Sequence, residues 1–381
     1  MKTFQKPSQR NGLLFVLVIW LLSRLVIIAA MQLFAPLAFT TPVHPEWQID
    51  SSPPGFVPGY IPHVGWELFS HWDSKWYRSI ATDGYEYVND GQQHSIAFFP
   101  LFPLVARAVM ALGLPFEIAG TLVSNLALLG TLMILYVWVA DSRGAYAAKW
   151  VAAVMVWCPS SLFGTVIYTE GLFLFVTTAA LKAFDQHHYR WAAFWGALAS
   201  ATRIFGIGLI PTFLFVAWRE SRPPIAYVAG LITSSGLLLF CLYSTIQFGD
   251  PLAFFHAQQG WEHESLLEIV KNALTLDQDS LFSVFALLGS VFVLWHLRSK
   301  MPPVTMAYGV FSLLLIISAV VTSGISTASL PRYLYGIVSV SVGLGLWFAR
   351  HPRWWGYIVL CIFAIFLFQD AFHFAGWDFV G

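Results

Sequence analysis

The chain has 381 residues, of which 57% are hydrophobic and 10% are charged. A soluble domain carries about 25% charged residues, so this composition excludes an ordinary soluble fold and indicates an all-α polytopic membrane protein. The formal net charge is zero, which gives no support to a nucleic-acid partner. The sequence shows no internal repeat and no low-complexity tract, and we expect a single domain over residues 1–381.

Eleven apolar segments follow one another along the chain. They cover residues 11–34, 118–140, 150–167, 171–184, 191–203, 206–218, 225–246, 281–297, 304–322, 333–349 and 354–374. A membrane span needs about 20 apolar residues, fewer where it ends at a pocket, so we expect about 11 transmembrane helices. The stretches 191–202 and 206–218 are short, which indicates two half-spans meeting at a break. At membrane depth such a break is tolerated only where it lines a cavity.

Basic residues predict the orientation of these spans, because Lys and Arg concentrate in cytoplasmic loops. The N-terminal segment carries Lys2, Lys6 and Arg10. The short loops on the same side carry Arg143 and Lys149, Lys182 and Arg190, Arg219 and Arg222, Arg298 and Lys300, and Arg350 and Arg353. The C-terminus then lies outside, and two long outer loops cover residues 35–117 and 247–280.

The apolar segment 96–113 does not fit this scheme as a span. If it crossed the membrane, every later basic loop would face outward. Its prolines, Pro100 and Pro103, with Pro115 just beyond, also make it irregular. We therefore expect a juxtamembrane helix that lies in the membrane interface.

Nearly all the carboxylates fall on the outer side in this topology. They are Glu46, Asp50, Glu67, Asp73, Asp83, Glu86, Asp90, Glu170, Asp250, Glu262, Glu264, Glu268, Asp277 and Asp279. The inner loops hold only Asp141, Asp185 and Glu220. This asymmetry favours a functional site on the outer face.

The first outer loop contains the most informative stretch, His71-Trp72-Asp73-Ser74-Lys75-Trp76-Tyr77-Arg78. A carboxylate among aromatic and basic side chains beside a bilayer suits a lipid-dependent transferase. Asp is also a good N-cap, so Asp73 has a second interpretation as the cap of a helix over 74–81. The two roles are compatible.

Other polar groups recur at the outer ends of spans. They are Glu170, Arg203, Asp250, His256, Gln258 and Arg332. An ionisable group at membrane depth is costly and usually faces a cavity, so we expect one cavity to collect them. Structural alternatives remain: Glu170 neutralises Arg203, and Arg332 reaches lipid phosphate. Arg24, inside the first span, is interpreted as the structural partner of a polar neighbour.

The motifs, taken in order, resemble one family. They are Trp72 to Ala81, Gly84-Tyr85, Phe98-Phe99-Pro100-Leu101-Phe102-Pro103, Pro159-Ser160-Ser161-Leu162-Phe163, Tyr168-Thr169-Glu170, Ala201-Thr202-Arg203, Phe248-Gly249-Asp250-Pro251-Leu252-Ala253-Phe254 and Pro331-Arg332-Tyr333. Over roughly residues 10–350 this set resembles the PIG-V family of GPI mannosyltransferases and its prokaryotic relatives. Gly171 stands where the family often has Ser.

The resemblance implies a fold and a reaction. The fold is that of the GT-C superfamily of membrane glycosyltransferases, with a long first outer loop that bears a catalytic Asp. The donor is a polyprenyl- or dolichyl-phosphate sugar, typically mannose, and the transfer inverts the anomeric centre. The shortness of the chain favours a prokaryotic member in a bacterial or archaeal plasma membrane, with the endoplasmic reticulum as the eukaryotic alternative. It argues against a GPI acceptor.

These expectations assign roles to individual residues. The catalytic residues are Asp73, as general base, and Glu170. The substrate-binding residues are Trp72, Lys75, Trp76, Tyr77, Arg78, Tyr168, Arg203, Asp250, His256, Gln258, Arg332 and Tyr333. The co-substrate is the lipid-phosphate sugar, and the acceptor is a glycolipid or glycan. The histidines show no metal-ligand spacing, and no divalent cation is indicated.

The alternative function is a transporter or flippase of a lipid-linked sugar, with no chemistry. Broken helices and charges at membrane depth suit such a protein too. It predicts two related halves and polar groups along a path to both membrane faces. The sequence shows no related halves, and its polar groups fall on one side.

Overall fold

Each of the eleven apolar segments contains a helix, although the bounds differ from those predicted. The computed structural model describes residues 7–46, 55–261, 271, 278–323 and 329–380, and all regular structure within these ranges is helical. The outer carboxylates Asp50, Glu262, Glu264, Glu268 and Asp277, and much of the loop 247–280, lie outside the described residues.

Fifteen helices of more than one turn are used below. They are α1 (Pro7–Ala29), α2 (Ser74–Thr82), α3 (Leu101–Met110), α4 (Phe116–Arg143), α5 (Ala145–Trp157), α6 (Glu170–Asp185), α7 (Tyr189–Thr202), α8 (Leu209–Arg219), α9 (Pro224–Ile232), α10 (Ser235–Phe248), α11 (Gln278–Leu297), α12 (Pro303–Ser323), α13 (Leu330–Tyr335), α14 (Val338–Phe348) and α15 (Arg353–Ala375). A π-helical turn covers Ala30–Phe34 and leads into the short helix Ala35–Ala38. Another short helix covers Ala253–His256. Turns of 3-10 helix cover Trp66–Phe69, Ser95–Ala97, Pro159–Gly164, Ile204–Gly208 and Ala257–Gly260.

Six helical stretches in the described part of the chain are long and apolar enough to cross a membrane. They are Arg10–Ala38, Phe116–Arg143, Pro224–Phe248, Ser280–Leu297, Pro303–Val321 and Arg353–Ala375. The other five predicted spans form helices of 16 residues or fewer. At about 1.5 Å per residue these fall short of a hydrocarbon core about 30 Å thick. The chain is thus an integral membrane protein with both long and short apolar helices.

Two local predictions have clear outcomes. The span expected over 150–167 is wrong beyond Trp157, where α5 ends. Cys158 is extended (φ −51°, ψ 135°), as a residue before proline prefers to be, and Pro159 begins a 3-10 turn. The segment 96–113 forms no continuous helix of span length, because α3, its longest helix, has ten residues and extends about 15 Å. Its place in the membrane interface stays a prediction.

The described chain divides into two compact units, each built from separate segments. The first contains Met1–Lys75, Val109–Gly171 and Leu344–Val380. In this unit α4 and α5 pack together and α1 packs on both. Gly144 joins α4 to α5 with φ of 88°, a left-handed conformation that glycine adopts at little cost. The α15 helix packs on α1 and on the 3-10 turn Pro159–Gly164.

The second unit contains Trp76–Ala108 and Leu172–Gly343. Here α9 packs on α7 and α8, and α8 packs on α12. Phe99 and Phe102 are 6% and 0% exposed, and Phe99 contacts Phe240 and Phe254 at ring-centroid distances of 5.1 and 5.4 Å. The aromatic run 98–103 is therefore part of this core rather than only an interfacial anchor. The single domain expected from the sequence stays a prediction.

Candidate active site

Asp73 lies at the start of a short helix. It is half-buried and immediately precedes Ser74, the first residue of α2, which is the position that the capping interpretation predicts. Its backbone N–H donates to the Tyr168 hydroxyl at 3.4 Å. The Ser74 hydroxyl donates to the carbonyl of Ile167 at 3.0 Å. These two hydrogen bonds hold the loop against residues 167 and 168.

Lys75 is half-buried close to Asp73. Burial lowers the pKa of the Lys75 ammonium to about 8, and the negative charge of Asp73 opposes this shift. The lysine therefore changes charge within the range of an ordinary assay. Arg78, one turn later along α2, is exposed.

Tyr168 and Glu170 lie where an irregular segment gives way to α6. Tyr168 is buried, and its ring contacts those of Phe163 and Phe374 at centroid distances of 5.0 and 6.2 Å. Glu170 is 1% exposed and is the first residue of α6. The positive end of the helix dipole favours a carboxylate there. A buried acid beside irregular backbone in a membrane protein is a functional-site candidate.

Arg24 stabilises this irregular segment. Its guanidinium donates to the carbonyls of Ser161, at 3.0 Å, and Val156, at 3.4 Å. It also donates to the hydroxyls of Ser161, at 3.1 Å, and Thr165. A helix that ends inside a membrane leaves carbonyls without intrahelical partners, and Arg24 supplies some of the missing donors. The interpretation of Arg24 as a structural partner is confirmed.

The second unit contains a small recess. Its lining residues are Phe173, Arg203, Phe205, Tyr308, Ser312, Ile316, Arg332, Tyr333, Gly336 and Ile337. The guanidinium carbons of Arg203 and Arg332 each lie 5.3 Å from the centre of the Tyr333 ring. Arg332 is 7% exposed, so it faces the protein interior rather than solvent or lipid. Two cations on one aromatic ring make this recess suited to an anion.

Arg203 reaches the recess because the helix is interrupted at this residue. The α7 helix ends at Thr202, Arg203 is extended (φ −154°, ψ 150°), and a 3-10 turn leads into α8. A Cβ on Gly206 would lie 2.5 Å from the backbone of Ala199, so the turn folds back closely on α7. The predicted break between 191–202 and 206–218 is confirmed.

Two predicted aromatic residues have different environments in the second unit. Trp76 is half-buried in a cluster with Phe98 and Trp261, at centroid distances of 5.9 and 5.8 Å. Tyr77 is 5% exposed and packs on Phe98 and Phe102, at 5.2 and 5.1 Å. Trp76 is thus the more accessible of the two, and Tyr77 belongs to the core.

Asp250, His256 and Gln258 connect two loops of the second unit. Asp250 Oδ2 accepts hydrogen bonds from the Tyr87 hydroxyl, at 3.0 Å, and from His256 Nδ1, at 2.7 Å. Burial favours a higher pKa for Asp250, but these bonds and a backbone N–H outweigh it, so the pKa is lowered. Gln258 donates to the Ala97 carbonyl at 3.4 Å. Contact of these residues with substrate stays a prediction.

The predicted site residues fall into two groups. The first unit contains Trp72, Asp73, Lys75, Tyr168 and Glu170. The second contains Trp76, Tyr77, Arg78, Arg203, Asp250, His256, Gln258, Arg332 and Tyr333. Within the first group, hydrogen bonds connect Asp73 to Tyr168, and within the second, Arg203 and Arg332 share a recess. One outer cavity for Asp73, Glu170 and the arginines stays a prediction.

The structural role of His71 was not predicted from the sequence. Its ring is buried against Phe374 and Trp377, at centroid distances of 5.5 and 4.3 Å. No local pattern in the sequence connects residues so far apart along the chain. The signal that was available is that His71 is a titratable residue within the motif around Asp73.

The described residues contain no group of three or more His, Cys, Asp or Glu arranged to hold a metal ion. Residues 1–6, 47–54, 262–270, 272–277, 324–328 and 381 lie outside this statement, and so does the side chain of Asp279.

Comparison with known proteins gives a family and a fold. Residues 10–261 match the family described as Mannosyltransferase (PIG-V). No curated protein sequence matches the chain. Among solved structures, ArnT from Cupriavidus metallidurans is similar at 15% identity, with TM-scores of 0.53 for the apo state and 0.55 for the complex with undecaprenyl phosphate. Both alignments cover 91% of this chain and 62% of ArnT.

A second similar protein is the archaeal oligosaccharyltransferase AglB from Archaeoglobus fulgidus, in complex with an inhibitory peptide and a dolichol-phosphate. The alignment covers 95% of this chain and 55% of AglB, at 9% identity and a TM-score of 0.46. The chain thus spans less than two thirds of the length of these proteins. The likeness to ArnT confirms the expected all-helical GT-C fold.

Proposed function

This chain belongs to the Mannosyltransferase (PIG-V) family, and on that premise we propose that it transfers mannose from a polyprenyl- or dolichyl-phosphate donor to a glycolipid or glycan acceptor. Membership of this family supports mannose as the sugar that is transferred. The ArnT structure with undecaprenyl phosphate, at a TM-score of 0.55, supports a GT-C fold that accommodates a lipid phosphate.

The observation that carries the proposal is the recess with Arg203 and Arg332. As the bond between sugar and phosphate breaks, the departing lipid phosphate gains negative charge. Fixed cations stabilise that charge without having to reorganise. A guanidinium binds two phosphate oxygens at once, and two of them around one aromatic ring suit a lipid phosphate head group. The apolar side chains beside them suit the first part of a prenyl chain.

Asp73 is the proposed general base. The acceptor hydroxyl oxygen attacks the anomeric carbon, its proton passes to the Asp73 carboxylate, and the phosphate leaves with the electron pair of the broken bond. A single displacement of this kind inverts the anomeric centre, with base and leaving group on opposite faces of the sugar. Glu170, buried at the start of α6, is the proposed partner for sugar hydroxyls.

The reaction is proposed to take place on the non-cytoplasmic face. The support is the charge pattern, because the short loops with paired basic residues fall on one side of the membrane and the candidate site residues on the other. This topology requires that the segment containing α3 (Leu101–Met110) does not cross the membrane, since a full span there would invert every later loop.

The test is a transfer assay on protein purified in detergent. Radiolabelled polyprenyl-phosphate mannose is incubated with the protein and a membrane lipid extract, and label is followed from the donor into new glycolipids or glycans. Asp73→Asn keeps the size of the side chain and its capping ability but removes its basicity. It should lower the rate by about 10² or more. The matched control is Asp83→Asn, an exposed residue of the same loop, which should behave as the wild type.

The same assay tests the recess. Arg332→Lys keeps the charge but loses the two-point grip, so it should raise KM for the donor, and Arg332→Ala should raise it further. The exposed Arg298, which lies over the Trp295 ring, supplies the control Arg298→Ala. Near-normal turnover by Asp73→Asn would contradict the role of Asp73 as general base. Unchanged donor kinetics in the Arg332 variants would contradict the proposed phosphate site. Absence of transfer by the wild type with every acceptor would overturn the function itself.

A further inference from the structure

His71 is two residues from Asp73 and fills a closed aromatic site. The imidazole is 2% exposed. It lies nearly parallel to Trp377, with ring centroids 4.3 Å apart and planes 24° apart, and to Phe374, at 5.5 Å and 22°. Phe374 belongs to α15, and Trp377 follows that helix. Two near-parallel aromatic contacts and burial limit the rotation of this side chain.

Hydrogen bonds fix the tautomer of this ring. His71 Nδ1 lies 2.9 Å from the Phe374 carbonyl oxygen. A carbonyl only accepts, so Nδ1 carries the hydrogen. His71 Nε2 is then the acceptor for the Tyr60 hydroxyl, 3.4 Å away. Burial lowers the pKa of His71 to about 4, although the bond to Phe374 opposes this shift, so the ring is neutral near pH 7.

The residue between His71 and Asp73 is anchored to the same surface. Trp72 has φ of 55°, a left-handed conformation that is unfavourable for a bulky residue. Its ring contacts Trp377 and Phe379 at centroid distances of 5.8 and 5.2 Å. On the other side of Asp73, Ser74 donates to the Ile167 carbonyl at 3.0 Å. Contacts therefore hold the chain immediately before and after Asp73.

We propose that His71 is a positioning residue, which orients the Asp73 carboxylate by docking the loop on α15 and on Trp377. The inference deepens the proposed function and rests on it. It adds residues 374 and 377, which lie outside the segment 10–261 that matches the family. His71 contacts no substrate in this scheme. It acts on the rate by limiting the directions in which the base can point.

The first test compares two substitutions of His71. His71→Asn keeps a donor where Nδ1 stands, and His71→Phe keeps the stacking surface but loses both hydrogen bonds. We expect His71→Phe to lower kcat by about 10²-fold, the cost of a misplacement near 1 Å, with little change in KM for the donor. His71→Asn should recover most of the loss. The control is His63→Phe, at a histidine of the same loop whose side chain is 69% exposed.

The second test separates positioning from folding. If His71 acts through Asp73, then His71→Phe should cause no further loss in an Asp73→Asn background, because the group that it orients no longer serves as a base. Thermal unfolding in detergent gives the stability of each variant.

The outcomes are distinct. Unchanged kcat in folded His71→Phe would overturn the positioning role while the wild type still transfers mannose. Equal losses of kcat in His71→Asn and His71→Phe would also overturn the positioning role. A full additional loss of kcat when His71→Phe is combined with Asp73→Asn would do the same. Absence of wild-type transfer would instead overturn the proposed function, on which this inference depends.

Discussion

Burial sets the charge of single side chains around Asp73. Burial lowers the pKa of Lys75 to about 8 and that of His71 to about 4. The first therefore loses its proton just above neutral pH, and the second stays neutral through the same range. Two basic residues of one short motif thus have different roles, and their types alone do not reveal this.

The pH dependence of catalysis should report Lys75. If its cation contributes to donor binding, kcat/KM for the donor should fall as pH rises through about 8, because kcat/KM follows ionisations of the free enzyme. Lys75→Arg keeps its charge to far higher pH and should remove this alkaline limb. Lys149→Arg, in α5, is the control. If the alkaline fall of kcat/KM is identical in the wild type and in Lys75→Arg, it arises from the ionisation of another group.

Helix breaks place the candidate side chains. The sequence predicts the break at Arg203, because 191–202 and 206–218 are each too short to span a membrane. It also contains the signal for the end of α5, since Pro159 disfavours a helical Cys158. The side chains that donate hydrogen bonds to the backbone at these breaks are harder to predict. Arg24 donates to carbonyls more than 130 residues later along the chain, and nothing in the local pattern identifies them.

Gly171 lies at a position that has no room for a side chain. A Cβ at Gly171 would lie 2.5 Å from the backbone carbonyl oxygen of Ser124, so α6 begins in direct contact with α4. Serine, which the resemblance described above leads us to expect at this position, would not fit without movement of one helix. The motif Tyr168-Thr169-Glu170 is thus followed here by a close backbone contact.

Gly171→Ala should destabilise the protein by about 1–3 kcal/mol through overpacking, and Gly171→Ser at least as much. The thermal midpoint in detergent should fall, and the change should also displace Glu170. Gly289→Ala is the matched control, because Gly289 lies within α11 with no atom within 4 Å of an added Cβ. There alanine should leave the midpoint unchanged or raise it. Equal midpoints for both variants would contradict the close contact at Gly171.

The chain as a whole combines a predictable helical frame with contacts that sequence patterns do not encode. Hydropathy predicts helices at all eleven apolar segments, and the ordered motifs predict the family. The docking of His71 on Phe374 was not predictable, because the two residues are 303 positions apart and contact arises only from the folded chain. The sequence did lead us to expect Arg203 and Arg332 in one cavity, but not that both would lie over the Tyr333 ring.

Membrane topology should place Asn89 outside and Ser221 inside. Both are exposed and belong to the second unit, so they form a matched pair. After replacement of Cys158, Cys241 and Cys361, single cysteines at these positions are treated with an impermeant maleimide in intact cells. Asn89→Cys should react and Ser221→Cys should not, until the cells are permeabilised. The reverse pattern would place the candidate site on the cytoplasmic face.

The hydrogen bond from His71 to Phe374 has a consequence for protein synthesis. A ribosome that adds about 5–20 residues per second needs roughly 15–60 s to make the 303 positions between them. Throughout that interval the loop has no surface on which to dock. If His71 orients Asp73 as proposed, a nascent chain stays inactive until α15 enters the membrane, and translation itself then times the onset of activity.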